Sequence, residues 1–327
     1  TGFEVEGNLS LIRNPKGFNW DFSFNASLVH NKIIKLPYNG NENNRQGGTQ
    51  VFDPKTQQVI WVGGYQEGHT MGDIYAYKQV KILSDWNEVN TMAGNYIDMI
   101  AGLYGPNVSD ADKKKYGLTK PIEPGDVLWA DLDGNHKIDQ LDRVKVGNIY
   151  PKWTGGFSTT LSYKNVSLYG RFDFALGHTI LNMVAMRSLG QSVGFKNIIK
   201  EGLKTWTEEN TNTDLPKSYY DDSTNKKNIY RDTKGSDITS VNDRSSRFYE
   251  KGDYLALREL TLNWKLPVNW ISKVGMTNAS VYITGQNLFY ITGYSGSSPE
   301  APLTYPGVDA GRYPTPRTVL VGASVSF

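Results

Sequence analysis

The last residues of the chain alternate between apolar side chains and mostly small or polar ones. Val319, Val321, Ala323, Val325 and Phe327 occupy every second position. Because successive side chains of a strand point to opposite faces, this period of two predicts a β-strand with one apolar face. The predicted strand ends on an aromatic side chain.

The same period recurs in six further segments. The clearest segment has Phe18, Trp20, Phe22, Phe24, Ala26 and Leu28 on one face and Asn19, Asp21, Ser23, Asn25 and Ser27 on the other. We predict strands at about residues 2–14, 17–30, 153–164, 165–178, 253–266, 277–292 and 316–327. The long connections 31–152, 179–252 and 293–315 are irregular. The fold class is therefore all-β.

Weaker patterns occur inside the long connections. Ile74–Leu83 has the pattern of a short strand, Asp85–Tyr104 that of a weak helix, and Phe195–Trp206 that of a helix. The sequence leaves open whether Ile74–Leu83 and Val127–Asp131 are additional membrane strands.

Short and long connections between the predicted strands lie on opposite sides of the sheet. If consecutive strands are antiparallel, the short turns at 14–16, 164–165 and 267–276 lie on the same side as Phe327, and the long connections lie on the other. Short turns on one rim and long loops on the opposite rim are typical of outer-membrane β-barrels. Polar residues on one strand face fit a wet lumen, since burying Asp and Asn in a protein core is costly.

This sorting predicts a transmembrane antiparallel β-barrel with long extracellular loops and a periplasmic carboxy terminus. Membrane lipid would cover its apolar face, in the outer membrane of a Gram-negative bacterium. Phe327 would lie in the periplasmic aromatic girdle. Seven strands cannot close, because the smallest such barrels have eight and the count is even. We therefore predict the C-terminal section of a larger barrel.

An alternative architecture stays open. The chain could be a secreted, calcium-stabilised β-sandwich that binds carbohydrate, in which a second sheet and not lipid covers the apolar strand faces. Trp153, Tyr163, Trp264 and Trp270 lie near predicted strand ends, where they fit an aromatic girdle better than a sugar-binding platform.

Composition narrows the function classes. The 327 residues contain 35 Lys and Arg and 33 Asp and Glu, so the net charge is 35 − 33 = +2, which does not indicate a nucleic-acid partner. The absence of cysteine excludes disulfides and thiolate chemistry within the chain. The sequence contains no run of 18 apolar residues, so no segment has the pattern of a membrane-spanning helix. Thr1 is not the start of a signal peptide, which predicts a mature fragment.

One acidic loop has the spacing of a calcium site. Oxygen-bearing side chains fall at positions 1, 3, 5, 9 and 12 of a calcium loop, with the Lys137 carbonyl at position 7: Asp131, Asp133, Asn135, Asp139 and Asp142. Close carboxylates repel one another without a cation. His136 stands where the sharp turn prefers Gly, although Gly134 could relocate the turn, and Asp142 is shorter than the usual Glu. The alternative is a plain acidic loop of Asx turns.

The sequence contains no complete catalytic motif. Gly190–Gly194 matches the G-x-S-x-G nucleophile elbow, but that fold requires a histidine after the serine, and all four histidines lie upstream. Their spacing matches no zinc motif. We predict that the chain is not an enzyme, and the sequence indicates no catalytic residue.

Several motifs resemble those of SusC/RagA-type TonB-dependent transporters. The resemblance rests on Ser246–Arg258, Leu260–Leu262, Leu266–Pro267, Val281–Phe289, Asp309–Pro314, Pro316–Thr318, Gly125–Asp142 and Gly177–Asn182. It implies part of a 22-stranded barrel with an N-terminal plug, which imports large nutrients such as oligosaccharides or peptides. It also implies TonB as the energy source and a SusD-like surface lipoprotein as a lid. The chain lacks the plug, the TonB box and most strands, so these residues cannot carry those functions.

The resemblance also gives Phe327 a role. The terminal aromatic residue of a closing strand resembles the signal that the barrel-assembly machinery reads. The residues that contact substrate cannot be read from the sequence.

Overall fold

The computed structural model describes residues 1–189, 199–218, 245–300 and 307–327. A seven-stranded sheet dominates this part of the chain. Its strands, numbered together with all others along the chain, are β1 (Gly2–Ile12), β2 (Phe18–Val29), β13 (Trp153–Tyr163), β14 (Val166–Leu176), β17 (Tyr254–Lys265), β18 (Asn278–Thr292) and β20 (Thr318–Ser326).

The strand order in the sheet follows the order in the chain. Each strand pairs antiparallel with the next, from β1 at one edge to β20 at the other. The turns after β1, β13 and β17 therefore share one rim with Phe327, and the long connections share the opposite rim. We call these the short-turn rim and the long-loop rim. The register shifts around Arg258, which has no ladder partner in β14 or β18.

One face of the sheet is apolar and uncovered. Phe24, Phe157, Phe172, Leu257 and Phe289 are neighbours across five strands on this face. Towards the β20 edge, Val321 is 79% exposed and Ile291 is 61% exposed. In the described residues no second sheet packs here, although exposed apolar patches of this extent are unusual on a soluble monomer.

The other face of the sheet is polar. One cross-strand row runs Ser23, Ser158, Arg171, Glu259 and Gln286. The alternation seen in the sequence is thus the difference between two faces of one sheet, as expected for a membrane barrel with a wet lumen. The structure confirms the all-β fold class.

The long connections fold into a layer on the long-loop rim, which we call the loop layer. Its strands are β3 (Thr49–Asp53), β4 (Gln58–Val62), β5 (Asp73–Tyr77), β6 (Gln79–Ile82), β7 (Ile97–Asp98), β8 (Leu103–Tyr104), β9 (Lys120–Pro121), β10 (Val127–Trp129), β11 (Lys137–Ile138), β12 (Arg143–Asn148), β15 (Thr179–Asn182), β16 (Tyr249–Lys251) and β19 (Val308–Asp309). Its helices are α1 (Trp86–Met92), α2 (Asp110–Tyr116) and α3 (Met183–Ser188), while α4 (Val268–Ile271) lies on the short-turn rim.

The hydrophobic core of the described residues lies in this loop layer. Its largest cluster includes Leu83, Val89, Tyr96, Leu103 and Ile138. Smaller clusters form around Phe248 and Trp206. The three connections pack together, because β15 pairs with both β16 and β19 and the Trp206 indole donates a hydrogen bond to the Ser84 carbonyl. Apolar burial therefore holds the loops together.

The structure corrects the weaker predictions for the loops. Asp85–Tyr104 is not one helix: α1 ends at Met92, and β7 and β8 follow. Ile74–Leu83 forms two strands, β5 and β6, which pair with β12 and β10 in the loop layer and do not join the seven-stranded sheet. Of the predicted helix Phe195–Trp206, residues 195–198 lie outside the described residues, and Lys200–Lys204 forms a 3-10 helix.

None of the helices described is both long enough and apolar enough to cross a bilayer.

Candidate functional site

The acidic loop brings three of its four carboxylates together. Oxygen atoms of Asp131, Asp133 and Asp142 lie within 4.8 Å of one another. Asp139 is outside this group, and its Oδ1 accepts a hydrogen bond from the Leu141 N–H at 2.7 Å. The site thus contains part of the ligand set that the spacing predicts.

Backbone amides hold these carboxylates in place. The Asp131 oxygens accept from Gly134 N–H at 2.9 Å and from His136 N–H at 2.8 Å. Both Gly134 and His136 have left-handed backbone conformations, with φ of 73° and 60°. The turn therefore uses position 6 of the loop despite its histidine, and the glycine two residues earlier makes a second left-handed step.

Asp142 is the buried member of the group. Its oxygens accept from Leu132 N–H at 2.8 Å and from Asp139 N–H at 2.9 Å, and its side chain is 1% exposed. Burial raises the pKa of Asp142 to about 6, and the Asp139 and Asp131 charges add to the increase. Burial also raises the pKa of Asp133. A bound cation would relieve the cost of ionising these groups.

The other two predicted ligands lie in the same turn. Asn135 donates to Asp133 Oδ2 at 2.8 Å, and its own oxygen accepts from Lys137 N–H. Lys137 pairs with Ile97 of β7. The Ile97 N–H donates to the His136 carbonyl and the Met99 N–H to the Ile138 carbonyl, so the Lys137 carbonyl points away from β7. The Lys137 ammonium lies 5.1 Å from the centre of the Tyr116 ring and cannot act as a ligand.

A charged cluster on the polar face of the sheet was not found from the sequence. Arg258, at the register shift, forms a two-pronged ion pair with Asp173 in the neighbouring strand. It also bonds to Tyr290 Oη at 3.1 Å and to Glu300 in the connection after β18. The position of Arg258 in a bulge of β17 can be recognised only after the strand register is known, so the sequence alone did not indicate this cluster.

Further contacts attach the connection after β18 to the long-loop rim. Ser295 donates twice to Glu250, each time at 2.8 Å. Tyr294 donates to Asp309 at 2.7 Å. The buried His178 ring lies 3.3 Å from the Pro299 carbonyl, and burial lowers the pKa of His178. This segment is therefore fixed both to the barrel wall and to the loop layer.

The loop layer contains a large cavity of about 1600 Å³. Two ion pairs flank it, Lys81–Glu88 at 2.5 Å and Arg247–Asp214 at 2.6 Å, and Asn182 contributes an amide. Its volume exceeds the roughly 300–1,000 Å³ of ordinary small-ligand pockets.

Two sequence candidates remain, Phe327 and the Gly190–Gly194 motif. Phe327 is 83% exposed, directly after β20 on the short-turn rim. The Gly190–Gly194 motif lies outside the described residues.

Known proteins with similar sequences are TonB-dependent receptors. The chain is 30% identical over its full length to TonB-dependent receptor P3 of Formosa agariphila, of which it covers 28%. It is 24% identical to TonB-dependent receptor SusC of Bacteroides thetaiotaomicron, over 95% of the chain and 25% of SusC. No family model matches the chain.

Solved structures with the same fold include those of RagAB. The chain superposes over its full length on 29% of a chain in the structure of the RagAB peptide transporter, with a TM-score of 0.61 and 22% identity. A second match is the RagAB peptide importer in the closed-closed state, with a TM-score of 0.60 and 21% identity. The chain thus spans less than a third of the proteins that it resembles.

Proposed function

We propose that the chain, which is similar in sequence to TonB-dependent receptors including SusC and similar in fold to a chain of RagAB, forms part of the wall and mouth of an outer-membrane nutrient importer. The observation that carries this proposal is the uncovered apolar face of the seven-stranded sheet, opposite a polar face. Lipid would cover the first face and water would fill the lumen along the second. The cargo would be a large nutrient, an oligosaccharide or a peptide.

The similarity to SusC and to RagAB supports the partners that we propose. A SusD-like lipoprotein would cover the loop layer, and the TonB complex would act through a region outside residues 1–327. Phe327 would be read by the barrel-assembly machinery. We assign no catalytic role to any residue.

The sandwich alternative is disfavoured by where the core lies. A β-sandwich buries its apolar residues between the inner faces of two sheets. Here the described core clusters lie in the loop layer, while Val319 in β20 stays 65% exposed. A face that membrane lipid covers is expected to be apolar and free of protein contacts. A sandwich would require a second sheet on this face, and none packs there in the described residues.

The orientation has a direct test, because residues 1–327 contain no cysteine. We propose that the long-loop rim is extracellular and the short-turn rim periplasmic. In intact cells that express the full-length protein, a membrane-impermeant maleimide should label Lys55→Cys between β3 and β4. The matched variant Lys273→Cys on the short-turn rim should react only after the outer membrane is permeabilised. Equal labelling of both variants in intact cells would contradict the orientation.

We also propose that the acidic loop binds one Ca²⁺ ion on the extracellular side. Asp131, Asp133 and Asp142 supply converging oxygens, and the Lys137 carbonyl points away from β7. Asn135 and Asp139 would complete the six to eight oxygens that Ca²⁺ takes. Extracellular calcium would occupy even a site with an affinity of roughly 10⁻⁴–10⁻³ M. The ion would stiffen the turn between β10 and β12 in the loop layer.

The calcium site is tested by hydrogen exchange on the full-length protein. Millimolar Ca²⁺ should slow exchange across residues 131–142 in the wild type. Asp131→Ala combined with Asp133→Ala should abolish this protection and leave the barrel strands unchanged. Asp110→Ala, which alters an exposed carboxylate on α2, should retain the protection. An exchange rate across residues 131–142 that Ca²⁺ does not change in the wild type would refute the site.

A further inference from the structure

The short-turn rim carries a set of exposed cations, which we call the basic rim: Arg13, Lys16, Lys164, Lys265 and Lys273. They come from all three short turns, which follow β1, β13 and β17. Because the strands are antiparallel neighbours, these turns lie side by side at the same end of the sheet. The basic rim is therefore one continuous feature.

No acidic side chain balances these cations at the end of the strands. The segments 12–19, 162–167, 263–278 and 324–327 contain no Asp or Glu. Arg13 approaches Asp21 at 3.9 Å, an exposed pair that adds little stability. Within the described residues none of the four lysines lies within 4.0 Å of a carboxylate. Ion pairing inside the protein does not account for the lysines.

Aromatic and apolar side chains lie beside the basic rim. The Lys164 ammonium is 5.2 Å from the centre of the Tyr163 ring. Trp264 and Trp270 meet edge to face at 6.1 Å, and Trp270 is 58% exposed. Val268 on α4 is also exposed, so the apolar surface of the sheet continues to the turn. The lysines thus stand where the apolar surface ends.

The opposite end of the same strands has a different charge pattern. Asp253 lies next to β17 and accepts a hydrogen bond from Gly177 N–H, while Glu250 and Lys251 lie in β16. Acids and bases are mixed at the long-loop rim. Cationic side chains predominate only at the short-turn rim.

We propose that the basic rim binds the phosphates of phospholipid headgroups in the bilayer leaflet that meets the short turns, with a preference for anionic lipids. This inference rests on the proposed insertion of the sheet in a membrane. Beyond the hydrocarbon boundary a bilayer presents phosphate groups, and an anionic lipid adds net negative charge. Lys side chains can extend their stems along apolar surface and place the ammonium at that level. Each lysine near an anionic surface contributes about a fivefold preference.

The test uses the full-length protein in nanodiscs of phosphatidylcholine with and without phosphatidylglycerol. Lipids that remain bound after mild detergent extraction are counted by native mass spectrometry. The wild type should retain phosphatidylglycerol over phosphatidylcholine. The variant with Lys16, Lys164, Lys265 and Lys273 all changed to Gln should lose this enrichment by about fivefold or more. The control variant removes four charges from the long-loop side and should keep the phosphatidylglycerol enrichment. Its substitutions are Lys32→Gln, Lys55→Gln, Lys152→Gln and Lys251→Gln.

The experiment gives different results if the lipid-binding role of the basic rim is wrong and if the proposed membrane barrel is wrong. Normal insertion with unchanged lipid enrichment in the rim variant would overturn this inference alone. Equal loss in both variants would also overturn it, because net charge and not the rim would then govern lipid binding. If enrichment is unchanged but the rim variant loses binding to a periplasmic protein, the rim is a protein-docking surface. Failure of the wild type to enter the bilayer would overturn the proposed barrel as well.

Discussion

Asp98 is a buried carboxylate at the centre of the loop layer. Its Oδ1 accepts from Ile100 N–H at 2.9 Å and Ala101 N–H at 2.8 Å, yet burial raises its pKa to about 6. This folded value lies above the unfolded value of 3.8, so ionisation opposes folding. The stability that depends on this carboxyl is fully present below pH about 4 and is lost as the pH rises through about 6. The cost at neutral pH is on the order of 3 kcal/mol.

Replacing Asp98 with Asn should remove the part of this pH dependence that Asp98 contributes, while the part due to Asp142 remains. In the wild type we expect the amides of β7 and β8 to lose protection between pH 4 and 7, after correction for the intrinsic exchange rate. Asp98→Asn should show a flatter profile, because no charge forms at this position in β7. Asp110→Asn, at an exposed carboxylate on α2, should follow the wild type. A profile for Asp98→Asn as steep as that of the wild type would show that another group controls the pH response.

Gly105 makes the closest backbone approach in the loop layer. A Cβ atom there would lie 1.8 Å from the Ala93 carbonyl oxygen, and Gly105 N–H is bonded to the Tyr96 carbonyl at 2.7 Å. We expect Gly105→Ala to destabilise the loop layer by about 1–3 kcal/mol. Gly293→Ala is the control, since nothing lies within 4 Å of its added methyl. Limited proteolysis of both variants should show faster cleavage of the loop layer in Gly105→Ala alone.

At the scale of elements, periodicity predicted the long strands well. The predicted segment 17–30 contains Phe18–Val29, and 153–164 contains Trp153–Tyr163. The reason is that each strand separates an apolar face from a polar face, so a period of two persists for nine residues or more. The bulge at Arg258 could not be read in this way, because an extra residue becomes visible only from the pairing of both neighbours.

The loop layer was much less predictable. Its strands are two to six residues long, and segments such as Ile97–Asp98 are buried on both faces, so no alternation marks them. The apparent helix Asp85–Tyr104 ends early because Ala93–Gly94–Asn95 leads into β7. The acidic loop was different: the spacing of its carboxylates indicated a shared turn, although the structure brings only three of the four together.

The two faces of β17 should respond differently to charge. Leu260 points to the apolar face, and Thr261, which bonds to Thr284 at 2.8 Å, points to the polar face. We expect Leu260→Lys to destabilise the folded barrel by about 2–4 kcal/mol near the bilayer midplane. Thr261→Lys should cost much less, since its ammonium would face water. Urea unfolding of both full-length variants in lipid vesicles measures the difference. Equal costs would contradict the assignment of the faces.

At the scale of the whole molecule, we expect assembly to depend on Phe327 at the end of β20. Phe327 is exposed and makes little contribution to packing. If the assembly machinery reads this residue, Phe327→Ala in the full-length protein should lower outer-membrane abundance several-fold. Phe327→Tyr keeps the aromatic ring and should restore abundance. Quantitative immunoblots of outer-membrane fractions make the comparison. Unchanged abundance in Phe327→Ala would contradict the role proposed for this residue.

The seven-stranded sheet has two free edges, and this governs how residues 1–327 should behave alone. No described strand pairs with the outer edge of β1 or of β20. In a bilayer, each backbone group left without a partner costs several kcal/mol, so an open sheet edge is not tolerated. In water, the same edges would pair between molecules. We therefore expect the isolated segment to aggregate, whereas the full-length protein should migrate as a heat-modifiable, protease-resistant band. A folded, protease-resistant monomer of residues 1–327 in detergent would show that these strands close without further partners.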